Sequence, residues 1–384
     1  MYKVKLTLTF FILLISFSFS NANELDKFVG FFDFSYDESK DKIFLEVDKL
    51  DYEFLYIGSL ASGIGSNDIG LDRGQLGLEK LVKFVKKGNK ILLVEPNLYY
   101  RAQTENISEK KSVEQAFAKS VIFGFEIVET NDEHYLIDFT PFLLYDRHGV
   151  AKRLRDLKQG SYKVDKSKSA IEIFNTKAFP ENIEFEALLT FSGEAKGSMI
   201  RSVAPDPDNV SVVQHHSFIK LPDNNYQPRK FDPRSGAISI SFMDYSTPID
   251  KPITKKFVIR HRLEKKNPEL EISEAVEPII YYLDPGTPEP VKSALLDGGK
   301  WWNQAYESIG FKDAFQVKML PEGADPLDCR YNVIQWVHRS TRGWSYGASV
   351  VDPRTGEIIK GHVSLGSLRI RQDYMIAQAL TNEP

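Results

Sequence analysis

The sequence predicts an α+β protein: a β-rich N-terminal module followed by an α/β layer that is incomplete where the chain ends. Three observations predict it. Up to about residue 265, short runs of aromatic and β-branched residues alternate with turn formers. Beyond that point Pro278-Ile279-Ile280-Tyr281-Tyr282-Leu283 is a continuous apolar run, the pattern of a strand buried on both faces. It opens an order of strand, helix, strand, strand and hairpin, which builds an α/β layer.

Element by element, Phe28–Phe34, Lys42–Val47 and Phe54–Ile57 read as strands. The glycine-dense stretch Gly58–Gly77 lacks both the Gly-Lys-Ser/Thr ending of a phosphate loop and the G-x-G-x-x-G pattern, so its glycines serve tight turns. Two short strands flank the turn Lys87-Gly88-Asn89 between Leu81 and Val94. Residues 109–124 carry helical spacing through Val113, Phe117 and Val121. Tyr135–Phe139, Ile171–Phe174, Ile183–Phe191 and Val210–Ile219 read as further strands, and the charged run Arg262–Pro268 marks the module boundary.

After the Pro278–Leu283 strand, Thr287-Pro288-Glu289-Pro290 opens a helix, with proline in its first turn and Glu289 favoured by the dipole. Its apolar stripe is Val291, Ala294, Leu295, Trp301 or Trp302, Ala305 and Ile309, and Gly310 falls at its C-terminal cap. Ala314–Leu320 and Asn332–Val337 are strands. Val350-Val351 and Ile358–Leu365 flank the turn Asp352–Glu357, and Arg371–Leu380 reads as helical. The turn has an echo in Asp232-Pro233-Arg234-Ser235-Gly236, which also reads as a hairpin turn.

With 42% apolar and 27% charged residues among 384, the chain can bury a sizeable core. A net charge of −4 provides no basic field for a phosphate backbone, which argues against nucleic acid as a partner. Lys3 and Lys5, the apolar run Leu6–Phe17 and the small residues around Ser20-Asn21-Ala22 read as a cleaved export signal over 1–22. The run is short for roughly 30 Å of hydrocarbon, so no stable membrane anchor is expected after cleavage. The expected location is periplasmic, outer-surface or extracellular in a bacterium. The single Cys329 excludes an internal disulfide framework. The expected division is a signal over 1–22, an N-terminal β segment over 23–75, a β-rich domain over 76–270, and the α/β part over 271–384.

A zinc hydrolase needs about three protein ligands and an open position for water. None of the seven histidines lies four residues from another, and there is no H-E-x-x-H. His215 and His216 are adjacent in a strand-like run, so they should point to opposite faces. His338 and His362 read as strand-end or surface residues, and Cys329 with His338 lacks any orienting group. Trp301, Trp302, Trp336 and Trp344 could suggest a carbohydrate platform, but core packing is the favoured reading for the first three. Neither a G-x-S-x-G elbow nor an assignable carboxylate pair is present.

Many blocks in order carry a resemblance. They include Gly63-Ile64-Gly65-Ser66-Asn67, Leu71-Asp72-Arg73-Gly74-Gln75, Tyr100-Arg101-Ala102, Arg229–Gly236, Arg260–Pro268, Pro278–Pro290, Trp302-Asn303-Gln304-Ala305-Tyr306, Arg330–Trp336 and Asp352–Ile359. Through them the chain resembles bacterial exported zinc-dependent metallopeptidases of the metzincin type, whose N-terminal regions are domains of unknown function. The resemblance implies that 271–384 begins a metzincin-like upper subdomain, with the zinc-binding helix following it in the family. The chain ends at Pro384 before such a helix, so no catalytic residue and no metal ligand carries over. The expectation is zinc in the full-length protein, none bound by this fragment, and an inactive chain awaiting a peptide or protein substrate. By the same analogy Gly361, His362, Val363, Ser364 and Leu365 would form the strand edge that binds substrate. The alternative expectation is a non-catalytic exported binding or scaffold protein.

Overall fold

The computed structural model describes residues 25–340 and 345–381. The expected export signal, Trp344 and Asn382-Glu383-Pro384 lie outside the described residues. The chain opens with β1 (Asp26–Phe28), β2 (Phe34–Asp37), β3 (Lys42–Val47), β4 (Glu53–Ser62), β5 (Leu76–Lys87), β6 (Lys90–Glu95) and β7 (Tyr100–Arg101). Helix α1 (Ile107–Ala116) precedes the hairpin of β8 (Ser120–Asn131) and β9 (His134–Asp138), and α2 (Thr140–Leu143) and α3 (Val150–Asp156) follow. Then come β10 (Gly160–Val164), β11 (Ala170–Ile171), β12 (Lys177–Ala178), β13 (Asn182–Ala195), α4 (Ser198–Val203) and β14 (Asn209–Lys220).

These strands, β7 excepted, form one antiparallel sheet in the order β1-β2-β3-β9-β8-β6-β5-β4-β14-β13-β10, with β11 and β12 continuing along β13. The sheet curls until its ends meet. Phe31 N donates to Phe179 O at 2.9 Å, and the Phe34 and Phe185 rings approach to 4.8 Å. The interior is aromatic: Phe32, Phe54, Phe84, Phe139, Phe142, Phe185 and Phe218 are fully buried there. Period-two alternation places Phe54 and Tyr56 inside, while Leu55 and Ile57 face outward. The outward pair is nevertheless buried, because the second module packs over it through Cys329 and Val350. A strand covered on both faces needs an apolar residue at every position, which explains the unbroken run at 54–57.

Two short strands, β15 (Ser239–Asp244) and β16 (Thr254–Val258), join β7 in a small sheet in which β15 is central, antiparallel to β16 and parallel to β7. The second module contains β17 (Ser273–Glu274), β18 (Ile279–Leu283), α5 (Val291–Lys300), α6 (Trp302–Glu307), β19 (Phe311–Lys312) and β20 (Phe315–Met319). It continues with β21 (Asn332–Val337), β22 (Tyr346–Val351), β23 (Ile358–Gly366) and α7 (Ser367–Thr381). Its five-stranded sheet runs β20-β18-β21-β23-β22, parallel except for β22, which is antiparallel to β23. The whole is an α+β protein.

Several expectations are corrected. The run 28–34 is not one strand: β1 ends at Phe28, and Phe31 and Phe32 turn into the core. Asn106 caps α1 by accepting from the amides of Ser108 and Glu109, but the helix stops at Ala116. Phe117 stacks on Tyr100 at 3.7 Å instead, and Val121 belongs to β8. Ile173–Asn175 forms a 3-10 turn that leaves Phe174 in solvent. The expected long helix breaks at Trp301 after Gly298-Gly299; Trp301 and Trp302 are about two-thirds exposed, so they are not core. Trp336 is buried as expected. The turn Asp352–Glu357 joins the β22–β23 hairpin, whereas its echo at Asp232–Gly236 is a capped 3-10 turn leading into β15.

Candidate functional site

The two modules enclose a cavity of about 390 Å³ between the outer face of β4, β13 and β14 and the inner face of β21 and β23. Strand alternation decides what reaches it. On β13, Phe185 and Ala187 point into the aromatic core, so Glu184 and Glu186 point outward. On the paired β14, His215 joins them, while His216 enters the core and shares a hydrogen bond of 3.0 Å with the Tyr56 hydroxyl. The two histidines therefore face opposite ways, as their adjacency predicts.

Each nitrogen of the His215 ring meets a carboxylate, Nε2 with Glu184 Oε2 at 2.6 Å and Nδ1 with Glu186 Oε1 at 3.0 Å. Ser217 Oγ and Asn182 Nδ2 also donate to Glu184, and Asn175 Nδ2 donates to Glu186. Burial works against the imidazolium, but the hydrogen bonds and charges of Glu184 and Glu186 outweigh it and raise the His215 pKa to about 9. In His216 burial dominates, followed by the charge of His215, and its pKa falls to about 3. One imidazolium thus bridges two carboxylates next to a neutral ring.

Gly361, His362, Val363, Ser364 and Leu365 all lie in β23. The expectation that they form a free edge is corrected. Val363 pairs with Ile334 of β21 on one side and Gly347 of β22 on the other, so the strand has no unpaired flank to offer a peptide. Their side chains split by alternation: His362 lines the cavity, whereas Val363 and Leu365 face the apolar space under α5. Burial lowers the His362 pKa to about 4. The edge belongs to β22, which among the described residues pairs with β23 alone. Cys329 is buried in the contact between modules, with its thiol pushed up to about 12, first by burial. His338 shares a hydrogen bond with Ser367 Oγ elsewhere, so the two are not assembled as nucleophile and base.

Sequence reasoning missed Glu184 and Glu186 and the ion pair of Asp72 with Arg339, which is 2.6 Å long and buried at both ends. A signal for the first pair exists. Two carboxylates two residues apart inside the apolar run 182–191 must share a face and find a partner.

The described residues do not fit a zinc site. Among them, no group of three or more His, Cys, Asp or Glu is arranged to hold a metal ion. Both ring nitrogens of His215 are occupied by carboxylates, and the His216 nitrogens by Tyr56 and Gln214.

A curled antiparallel barrel filled with phenylalanine, fused to a five-stranded mixed sheet, defines the class of this protein. Residues 74–266, about half of the chain, match the family described as Domain of unknown function (DUF5117), and the chain belongs to that family. No curated protein and no solved structure matches it.

Proposed function

We propose that this chain is the N-terminal portion of an exported zinc-dependent metalloendopeptidase of the metzincin type, with the zinc ligands supplied by residues outside this sequence. The observation that carries the reading is the element order β18, α5–α6, β20, β21 and the β22–β23 hairpin, which is the order the family resemblance implies. The edge at residues 346–349 of β22, which pairs with β23 alone among the described residues, supports the substrate class, because an extended peptide adds to such an edge as a further strand; beyond it Val350 and Val351 are buried and Val351 N donates to Glu79 Oε2 at 3.2 Å. In this reading the described chain contributes the scaffold and the peptide edge and performs no hydrolysis itself.

The test is to read the coding sequence after codon 384 and to measure metal and activity. A helix carrying His-Glu-x-x-His beyond Pro384, with peptidase activity and one zinc in the longer product, is the expected result. A stop codon there, with an expressed 384-residue chain that binds peptides without cutting them, would replace the reading by the binding-protein alternative.

A further inference from the structure

We infer that the crevice at the carboxyl ends of β18, β21 and β23 binds a small organic acid, a carboxylate carried on an apolar body. The site is independent of the peptidase reading. In a sheet of parallel strands, ligands bind in the crevice outside the carboxyl ends, where the following helices begin. Here β18 leads into α5 and β23 leads into α7, and both strands are parallel to β21 between them. A pocket of about 750 Å³ opens between the two helix starts, over the end of β21.

Alternation along β21 decides what reaches this pocket. Ile334 faces the apolar space under α5, so Trp336 and His338 project from the same side of the strand. Val291 at the start of α5 and Leu368 and Met375 of α7 supply apolar walls.

The polar groups are donors. Trp336 is only 6% exposed, and its Nε1 is shut off from solvent with no hydrogen-bond partner among the described residues. An indole N–H can only donate, so it lacks an acceptor that a ligand oxygen in this pocket would supply. Helix α7 has 15 residues and none in its first turn is acidic, so no side chain of its own neutralises its positive end, where Ser367 and Leu368 line the pocket. Arg371, one turn along, lines it too and has no hydrogen-bond or ion-pair partner among the described residues.

The acidic groups nearby are each matched by a cation. Asp284, which accepts from Trp336 N, lies 3.9 Å from Arg73; Glu289 pairs with Lys292 at 2.9 Å and Asp373 with Arg369 at 2.9 Å. None of the three lines the pocket, so Arg371 sets its charge and an anion is the complementary ligand. The lining also holds no Asp, Glu, Asn or Gln side chain to accept from the amides of a peptide, which favours a small acid over a peptide end.

The test titrates the 384-residue chain with hydrocinnamate, hydrocinnamamide and N-acetyl-Gly-Phe. Calorimetry measures affinity, and NMR follows the indole N–H signal of Trp336, identified by its loss in Trp336→Phe. The acid should bind roughly tenfold more tightly than its amide, and the indole signal should move downfield as it gains an acceptor. Arg371→Gln, at an exposed position, should reduce that ratio to within about threefold while the urea midpoint stays unchanged. Equal binding of acid and amide, no binding of either, or an indole signal that stays in place at saturation overturns the site. An unchanged ratio in Arg371→Gln overturns the assignment of the carboxylate to this arginine. Binding of N-acetyl-Gly-Phe tenfold tighter than hydrocinnamate overturns the small acid in favour of a peptide end.

Discussion

Replacing His215 by glutamine should remove a pH-dependent part of the stability that can be worked from the structure. The ring is only 7% exposed and bridges Glu184 and Glu186. Its pKa is about 9 in the folded protein against 6.5 for a free histidine. Because the folded value is raised, the stabilisation is complete below pH 6.5 and is lost as the pH rises through 9. The size is about 3 kcal/mol, at roughly 1.4 kcal/mol per pKa unit. Urea denaturation of wild type and His215→Gln from pH 6 to pH 9.5 measures it. The wild type should be more stable by about 3 kcal/mol near pH 6, and the difference should shrink progressively between pH 6.5 and about 9. A difference that stays constant over this range would refute the claim that one imidazolium holds the two carboxylates.

Phe218→Ala should cost about 3–5 kcal/mol in a denaturation experiment, because this fully buried ring packs on Phe54, Tyr56, Phe139, Phe142 and Phe185; a loss below 1 kcal/mol would contradict the packed barrel. Asp72→Asn removes the carboxylate of this buried ion pair with Arg339 and should cost about 3–5 kcal/mol, read as a lowered urea midpoint. Gly63→Ala should cost about 1–3 kcal/mol, since the added carbon would lie 2.4 Å from Leu71 O in the fixed backbone of the loop. Cys329 should stay unreactive towards a thiol reagent at pH 8 in native protein and react on unfolding, because burial raises its pKa to about 12; fast native labelling would show that the two modules separate.

The resemblance blocks differ in what they do. Gly63–Gln75, read as a set of tight turns, does turn tightly, but its importance comes from contacts with Arg339 and Ser340, more than 260 positions away. The turn Asp352–Glu357 is local: Asp352 accepts from Arg354 N at 2.8 Å, and Gly356 sits at φ of +84°. Such turns are legible because the interactions that form them lie within a few residues. The stripe containing Trp301 and Trp302 misled for the opposite reason. Helical periodicity marks a face that is able to be buried, but here Leu295 is only half-buried over the sheet and Trp301, Trp302 and Ile309 stay largely exposed.

The amino-acid order alone determined the α+β class, most strand positions, the opposed faces of His215 and His216 and the burial of Trp336, because side-chain alternation and turn chemistry act over a few residues. Only the tertiary structure decided that the sheet curls shut on a phenylalanine core, that β22 and not β23 is the edge, and that Glu184, Glu186 and His215 meet. Those outcomes depend on which distant strands pair, and no window of neighbouring residues contains that information.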